Sequence, residues 1–271
     1  MQKKVVFLDI DGTMVDFNGK IPDSTIKAIQ MARKNGHKMI ICTGRSRYQI
    51  YEELLAIGFD GIVGAAGSYV ECDGAEIFHR YIDETQRRFL ADYLEKNKFT
   101  YVIQSTGKSI VNSRCAAVLQ KMYQKMDMPA DRVKNLEGGV IISEEVWNHE
   151  QEEKAVYHNS PFSLEKVRYD LAPYFNVTAL SFELEANSGE IGIAGVDKST
   201  GMQLVLDYYG LTQKDTIAVG DGPNDMEMID FAAIGVAMGN ARAELKGIAD
   251  IITDAVSENG IYHVFEQLKL I

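Results

Sequence analysis

Short apolar runs, each breaking off at a polar loop, alternate along this chain with helix-length amphipathic stretches. Residues 4–8, 38–42, 61–64, 216–219, 234–237 and 250–253 read as strands. Such runs suit strands covered on both faces. Between the first two, Pro22-Asp23-Ser24 opens a helix that carries Ile26, Ile29, Met31 and Ala32 and stops at Gly36. Ser46 opens a second helix, with Ile50, Leu54 and Ile57 at helical spacing and Gly58 as the stop. Residues 200–209, 224–231, 242–248 and 261–268 read as further helices. Asp73-Gly74, between two strand-like runs, predicts a hairpin turn. Strand–helix alternation on this scale predicts an α/β fold, a doubly wound parallel sheet with helices on both faces.

The middle of the chain breaks the pattern. From about residue 82 to 188 it is irregular and more aromatic, and it holds the only tryptophan, Trp147. Helical stretches (84–96, 114–126, 164–171) mix there with strand-like ones (100–104, 139–143, 177–181). The expected organisation is an α/β core formed by 1–81 and 189–271, with an α+β domain, 82–188, inserted between its halves.

With 28 Lys and Arg against 39 Asp and Glu, the net charge is −11. No electrostatic term then favours nucleic acid or an anionic membrane, so neither is an expected partner. Cys42, Cys72 and Cys115 are odd in number and widely spaced, which predicts reduced thiols and no zinc site. The first apolar run ends at Asp9, too early for a signal peptide, and no run approaches a membrane span. A cytoplasmic location is expected.

The chemistry gathers where strands end. The first strand runs into Asp9-Ile10-Asp11-Gly12-Thr13, the second into Thr43-Gly44-Arg45, and the strand at 216–219 into Gly220-Asp221-Gly222-Pro223-Asn224-Asp225. In open parallel sheets ligands bind beyond the carboxyl ends of the strands, so these segments should converge. Four carboxylates in one crevice repel unless a cation joins them, and a hard divalent ion, Mg²⁺, suits oxygen ligands plus a substrate phosphate. Gly12, Gly44 and Gly222 let backbone N–H groups approach an anion. Alone, a DxD is often a solvated turn and a GDGPND loop a helix cap; together at strand ends they point to phosphoryl transfer.

These residues resemble the haloacid dehalogenase-like hydrolases, specifically the Cof-type phosphatases with a large cap inserted between the second and third motifs. The motifs are Asp9-Ile10-Asp11-Gly12-Thr13, Thr43, Lys198 in Gly195-Val196-Asp197-Lys198, and Gly220-Asp221-Gly222-Pro223-Asn224-Asp225. Val236-Ala237-Met238-Gly239-Asn240-Ala241 and Asp250 are also similar to this family's C-terminal core. The resemblance implies Mg²⁺-dependent hydrolysis of small phosphate monoesters, such as sugar phosphates, through an aspartyl-phosphate. It implies Asp9 as nucleophile, Asp11 as general acid and base, Thr43 and Lys198 on the phosphoryl group, and Asn224 positioning phosphate or a metal ligand. Metal would be held by Asp9, Asp221 and the carbonyl of Asp11, and by Asp225 directly or through water. The cap would close over the crevice and select the substrate. Two positions depart from the family pattern: Ser199 stands where Gly is usual, and Ala66-Gly67-Ser68 where Asn-Gly-Ala is common.

Arg45 fits two roles from sequence, a second phosphate or leaving-group contact or an ion pair with a core carboxylate. The five histidines show no metal-ligand spacing, and Met226 and Met228 read as helix packing. Three rival functions predict different observations. A phosphosugar mutase of the same superfamily would need a bisphosphate activator and release no phosphate. A phosphosugar sensor would bind without turnover. A protein–protein adaptor would expose large apolar patches on the cap. The oligomeric state has no signature here.

Overall fold

The structure is a computed structural model and describes residues 3–16, 18–125, 139–149, 151–180 and 187–271. Its elements begin with β1 (Val5–Leu8), α1 (Asp23–Lys34), β2 (Lys38–Cys42), α2 (Glu52–Leu55), β3 (Gly61–Gly64), β4 (Tyr69–Cys72) and β5 (Ala75–His79). There follow α3 (Glu84–Lys96), β6 (Thr100–Ser105), β7 (Lys108–Val111), α4 (Ser113–Lys125), β8 (Val140–Ile142), β9 (Glu152–His158), α5 (Leu164–Leu171), β10 (Phe175–Ala179) and β11 (Gly189–Ile193). The chain ends with α6 (Lys198–Tyr209), β12 (Thr216–Gly220), α7 (Met226–Phe231), β13 (Ile234–Ala237), α8 (Ala243–Ile248), β14 (Ile251–Ile252) and α9 (Gly260–Gln267). None of these helices is long and apolar enough to cross a membrane.

Two compact units result. The first comprises Met1–Arg45, Ile50–His79 and Asp197–Ile271. Its eight-stranded sheet has the order β14-β13-β12-β1-β2-β3-β4-β5, parallel from β14 to β3 and antiparallel through the hairpin at the other edge. The predicted α/β class is what the sheet shows. Each apolar run is buried along its whole length in β1, β3 and β12. Fully burying a Val, Leu, Ile or Phe side chain contributes roughly 1.5–3 kcal/mol, so Phe7, Leu8, Ile40, Ile41 and Val219 fix the sheet. Their register positions the chemistry. Leu8 lies opposite both Ile41 and Val219 in parallel pairings, so Asp9, Thr43 and Asp221 leave the sheet together at the carboxyl ends of the strands.

The helix expected from Ser46 is broken. Arg47–Gln49 form a 3-10 turn, Tyr51 is extended (φ −75°, ψ 154°), and α2 keeps four residues. Side chains cause the break. The Ser46 hydroxyl donates to Glu153, the Tyr48 hydroxyl lies 2.6 Å from that of Ser109, and the Gln49 amide oxygen accepts from Ser46 N–H at 3.0 Å. Ser46–Gln49 therefore group with the second unit.

The second unit otherwise spans Arg80–Val196, beyond the boundary expected at residue 188, and so includes β11. Its six-stranded sheet runs β10-β11-β9-β6-β7-β8. Leu90, Leu94, Phe99, Tyr101, Ile103 and Tyr157 form its centre. Helix α3 starts at Asp83, which caps Gln86 N–H at 2.9 Å while Gln86 reaches back to Asp83 N–H at 3.0 Å. Strands β7, β9 and β11 were not foreseen. β9 opens with Glu152-Glu153-Lys154, which reads as solvated, yet all three are buried. Glu152 pairs with Arg87 at 2.7 Å and Lys154 with Glu190 at 2.5 Å, while Glu153 accepts the Ser46 hydroxyl. Met126 and Ser181, predicted to end a helix and a strand, lie outside the described residues.

Candidate active site

Asp9 follows the last residue of β1 and is only 5% exposed. Lys198, the first residue of α6, stretches across to it, and its Nζ donates to Asp9 Oδ1 at 2.7 Å and to Asp225 Oδ1 at 2.5 Å. Helix α6 starts there because the Asp197 carboxylate accepts Thr200 N–H at 2.9 Å and the Thr200 hydroxyl lies 3.0 Å from Asp197 N–H. Burial works against the Lys198 charge, but Asp225 and then Asp9 outweigh it and raise its pKa. The lysine is a fixed cation.

Asp225 closes the 3-10 turn Pro223–Asp225 that follows β12. Its Oδ2 accepts N–H bonds from Asp221 at 2.9 Å and Gly222 at 2.8 Å. Gly220 makes room for it, since a Cβ there would stand 2.6 Å from the Asp225 carboxyl carbon. Asp221 accepts from the Thr13 hydroxyl at 3.3 Å and from Asn240 Nδ2 at 3.4 Å. Gly12 meets the same carboxylate with φ +81° and no side chain; a Cβ would fall 2.2 Å from Asp221 Oδ2. Asn224 sits half-buried in the middle of the turn.

On the other side, Thr43 is buried at the end of β2 and donates its N–H to Val63 at 2.8 Å. Its hydroxyl accepts from Arg45 N–H at 3.1 Å, which wraps Thr43-Gly44-Arg45 into a tight turn. The Ala65-Ala66-Gly67 turn after β3 supports it, with Ala65 N–H on Arg45 O and Ala66 N–H on Thr43 O. Ala65 and Ala66 are both left-handed, at φ 48° and 54°. This is the position where the sequence departs from Asn-Gly-Ala, and asparagine is more at ease there than alanine.

The structure gathers Asp9, Asp221 and Asp225 so closely that one carboxylate oxygen of each lies within 4.8 Å of the others. The side chain of Asp11 stays outside that group. Arg45 Nε donates to Asp11 Oδ2 at 2.8 Å and its Nη2 to Oδ1 at 2.7 Å. Arg45 thus forms the ion pair with a core carboxylate that was one of its two readings.

Electrostatics tests the cluster for a cation. Burial, Asp225 and Asp11 push Asp9 up to about 7 against the pull of Lys198. Burial, then Asp9 and Asp225, push Asp221 up to about 8. Three buried carboxylates share a single ammonium, and protons stand in for the missing positive charge. An all-oxygen donor set short of positive charge fits Mg²⁺. Cys42, also buried beside Lys198, has its thiol pushed up by burial and offers no nucleophile.

Two contacts with the site lay outside the sequence reading, those of Thr13 and Asn240. Asn240 follows β13 as the other site loops follow their strands, which is the signal that could have marked it.

A family model described as haloacid dehalogenase-like hydrolase matches residues 6–265. Over 273 residues the chain is 30% identical to YkrA of Bacillus subtilis (strain 168), covering 100% of both chains. It is 27% identical over 272 residues to the 5-amino-6-(5-phospho-D-ribitylamino)uracil phosphatase YitU of the same strain, covering 95% of this chain and 94% of YitU. Among solved structures, BT1666 from Bacteroides thetaiotaomicron, one of the haloalkanoate superfamily phosphatases, superposes with a TM-score of 0.83 at 26% identity, over 99% of this chain and 96% of that one. The subclass IIB sugar phosphatase BT4131 superposes with a TM-score of 0.80 at 25% identity, over 99% of this chain and 100% of that one.

Proposed function

The chain belongs to the haloacid dehalogenase-like hydrolases and is a phosphatase of that family, and from that premise we propose that it hydrolyses small phosphate monoesters with Mg²⁺ through an aspartyl-phosphate on Asp9. The observation that carries the reading is the buried Lys198, whose ammonium bonds both Asp9 and Asp225, while one carboxylate oxygen each of Asp9, Asp221 and Asp225 lie within 4.8 Å of one another.

In the first half-reaction the free carboxylate oxygen of Asp9 attacks phosphorus, and the bond to the leaving oxygen breaks. Asp11, protonated and turned out of the Arg45 fork, gives its proton to that oxygen, which departs as an alcohol. In the second, Asp11 takes a proton from water as the water attacks phosphorus, which frees Asp9 and inorganic phosphate. Lys198 and Thr43 meet the charge that develops on the phosphoryl oxygens, and the N–H groups of Gly12 and Gly44 add donors. Asn224 positions the phosphate. The carboxylates of Asp9, Asp221 and Asp225, the last directly or through water, and the carbonyl of Asp11 would hold Mg²⁺, which would supply the positive charge for these groups and a phosphate dianion to share one site.

Substrate choice belongs, in this reading, to the inserted domain expected at 82–188. Sugar phosphates are the favoured class. BT4131 is a sugar phosphatase and YitU acts on a phosphorylated ribityl compound, so both are named for phosphate on a polyol or sugar. The test is phosphate release from a panel of monoesters with and without Mg²⁺, for wild type and Asp9→Asn, with acid quenching to trap labelled phosphoenzyme. Metal-dependent release, labelling of the wild type and loss of both in Asp9→Asn are expected. Phosphate release without labelling, or undiminished release by Asp9→Asn, would overturn the mechanism.

A further inference from the structure

We infer that Asn240 is a positioning residue for the metal: one side-chain amide holds the loop after β1 and the Asp221 carboxylate in the arrangement that receives the cation. The inference rests on the Mg²⁺ reading above. Residues 238–242 run alongside the loop that follows β12, with Met238 N–H on Gly220 O at 3.0 Å and Arg242 N–H on Asp221 O at 3.2 Å. That backbone pairing places the Asn240 side chain beside the site. Its Nδ2 donates to the carbonyl of Gly12 at 2.8 Å and reaches Asp221 Oδ2 at 3.4 Å. Its Oδ1 accepts the N–H of Val256 at 2.9 Å. A backbone N–H can only donate, so the Val256 contact fixes which end of the amide faces the site.

The chemistry of the residue matters as much as its place. With Thr13 on Oδ1 and Asn240 on Oδ2, Asp221 is bracketed by two neutral donors. Neutral donors orient a carboxylate without cancelling the charge that attracts a cation. A lysine or arginine in that place would compete with the metal, and an aspartate would push Asp221 away. The shorter of the two donated bonds goes to Gly12, whose missing Cβ lets the Asp221 carboxylate lie against the loop. Asn240 therefore sets the spacing of two loops that carry metal ligands, which is the work of an outer-sphere partner.

The test measures metal binding directly. Mg²⁺ would be titrated calorimetrically into the folded wild type, Asn240→Ala and Asn240→Leu, the second keeping the side chain's bulk without its donors. Steady-state kinetics would follow across Mg²⁺ concentrations. A dissociation constant raised about tenfold or more is expected in both variants, with kcat at saturating metal within about threefold of wild type. A residue that merely supports the fold would lower the melting temperature and leave the dissociation constant where it was. Unchanged metal affinity in both variants, or a loss of kcat that metal does not restore, would overturn the inference and leave the Mg²⁺ reading standing. A wild type that takes up no Mg²⁺ would overturn both.

Discussion

Arg45 grips Asp11 with a two-pronged fork, Nε to one carboxylate oxygen at 2.8 Å and Nη2 to the other at 2.7 Å. The guanidinium also lies 5.2 Å from the ring centre of Tyr51, which fixes its plane. The fork holds Asp11 as a carboxylate, the form that takes a proton from water in the second half-reaction, and a residue of the second strand's loop thereby orients the proposed base. Lysine offers one point charge and no fork, so the exchange is not conservative at such a site. Arg45→Lys is expected to lower kcat/KM about tenfold, the loss of one well-aligned charge-assisted bond. Steady-state kinetics on the best monoester of the panel checks this, and an unchanged kcat/KM would remove Arg45 from the orientation of Asp11.

Lys198 holds the buried carboxylates together. Removing one partner of a buried ion pair typically costs about 3–5 kcal/mol, because the other charge is left unpaired. Lys198→Met keeps the length and loses the ammonium. It is expected to destabilise the metal-free protein by about that amount in urea unfolding and to abolish phosphate release. Adding Mg²⁺ should return part of the lost stability, since the cation replaces the missing positive charge between Asp9 and Asp225. A variant as stable as wild type would show that protonation of the carboxylates already relieves the cluster.

Much of this site was legible because the residues that carry it follow apolar runs directly. A buried parallel strand shows its apolar run, and register then brings the run-ends together without further information. Thus Asp9, Thr43 and Asp221 could be grouped from the sequence alone. The pairing of Arg45 with Asp11 could not, because a charged residue at a strand end fits a substrate or a neighbour equally well. The second unit was harder for a related reason. Strand β9 begins with three charged residues whose partners include Arg87, Glu190 and Ser46, all remote in sequence. The helix expected at Ser46 failed in the same way, since local spacing favoured it and distant hydrogen bonds undid it. Asn240 fell within the stretch similar to the family's C-terminal core but received no role, because its loop follows a strand without any acidic residue to mark it.

Gly12 is where backbone shape and metal chemistry meet. At φ +81° an alanine is strained by about 1–2 kcal/mol. Its Cβ would also stand 2.2 Å from Asp221 Oδ2, so the carboxylate would have to rotate off Thr13 and away from the cluster. Gly12→Ala should therefore fold with a modest drop in melting temperature but need on the order of a hundredfold more Mg²⁺ for half-maximal activity. Metal activation curves decide the matter. A stability loss with an unshifted curve would mean that Asp221 does not serve the metal.

The crowding of the carboxylates predicts how pH and metal trade places. In the metal-free folded protein Asp9 is raised from 3.8 to about 7 and Asp221 from 3.8 to about 8, chiefly by burial. Between the unfolded and folded values the folded state binds more protons than the unfolded one. The stability these protons contribute is therefore fully present below 3.8 and lost progressively as pH rises, with the loss complete above about 7 for Asp9 and about 8 for Asp221. Mg²⁺ needs the ionised carboxylates and so competes with the same protons. Its binding should tighten over that interval, and the rise in melting temperature it produces at a fixed concentration should be small near pH 6 and large near about pH 8.5. Calorimetric scans with and without metal across this range test the sign. Asp221→Asn removes the group with the higher value, so it should flatten the pH dependence of the metal-free protein above about pH 7. If the metal shift instead shrinks as pH rises, protons and metal are not competing for these carboxylates, and the cation binds elsewhere.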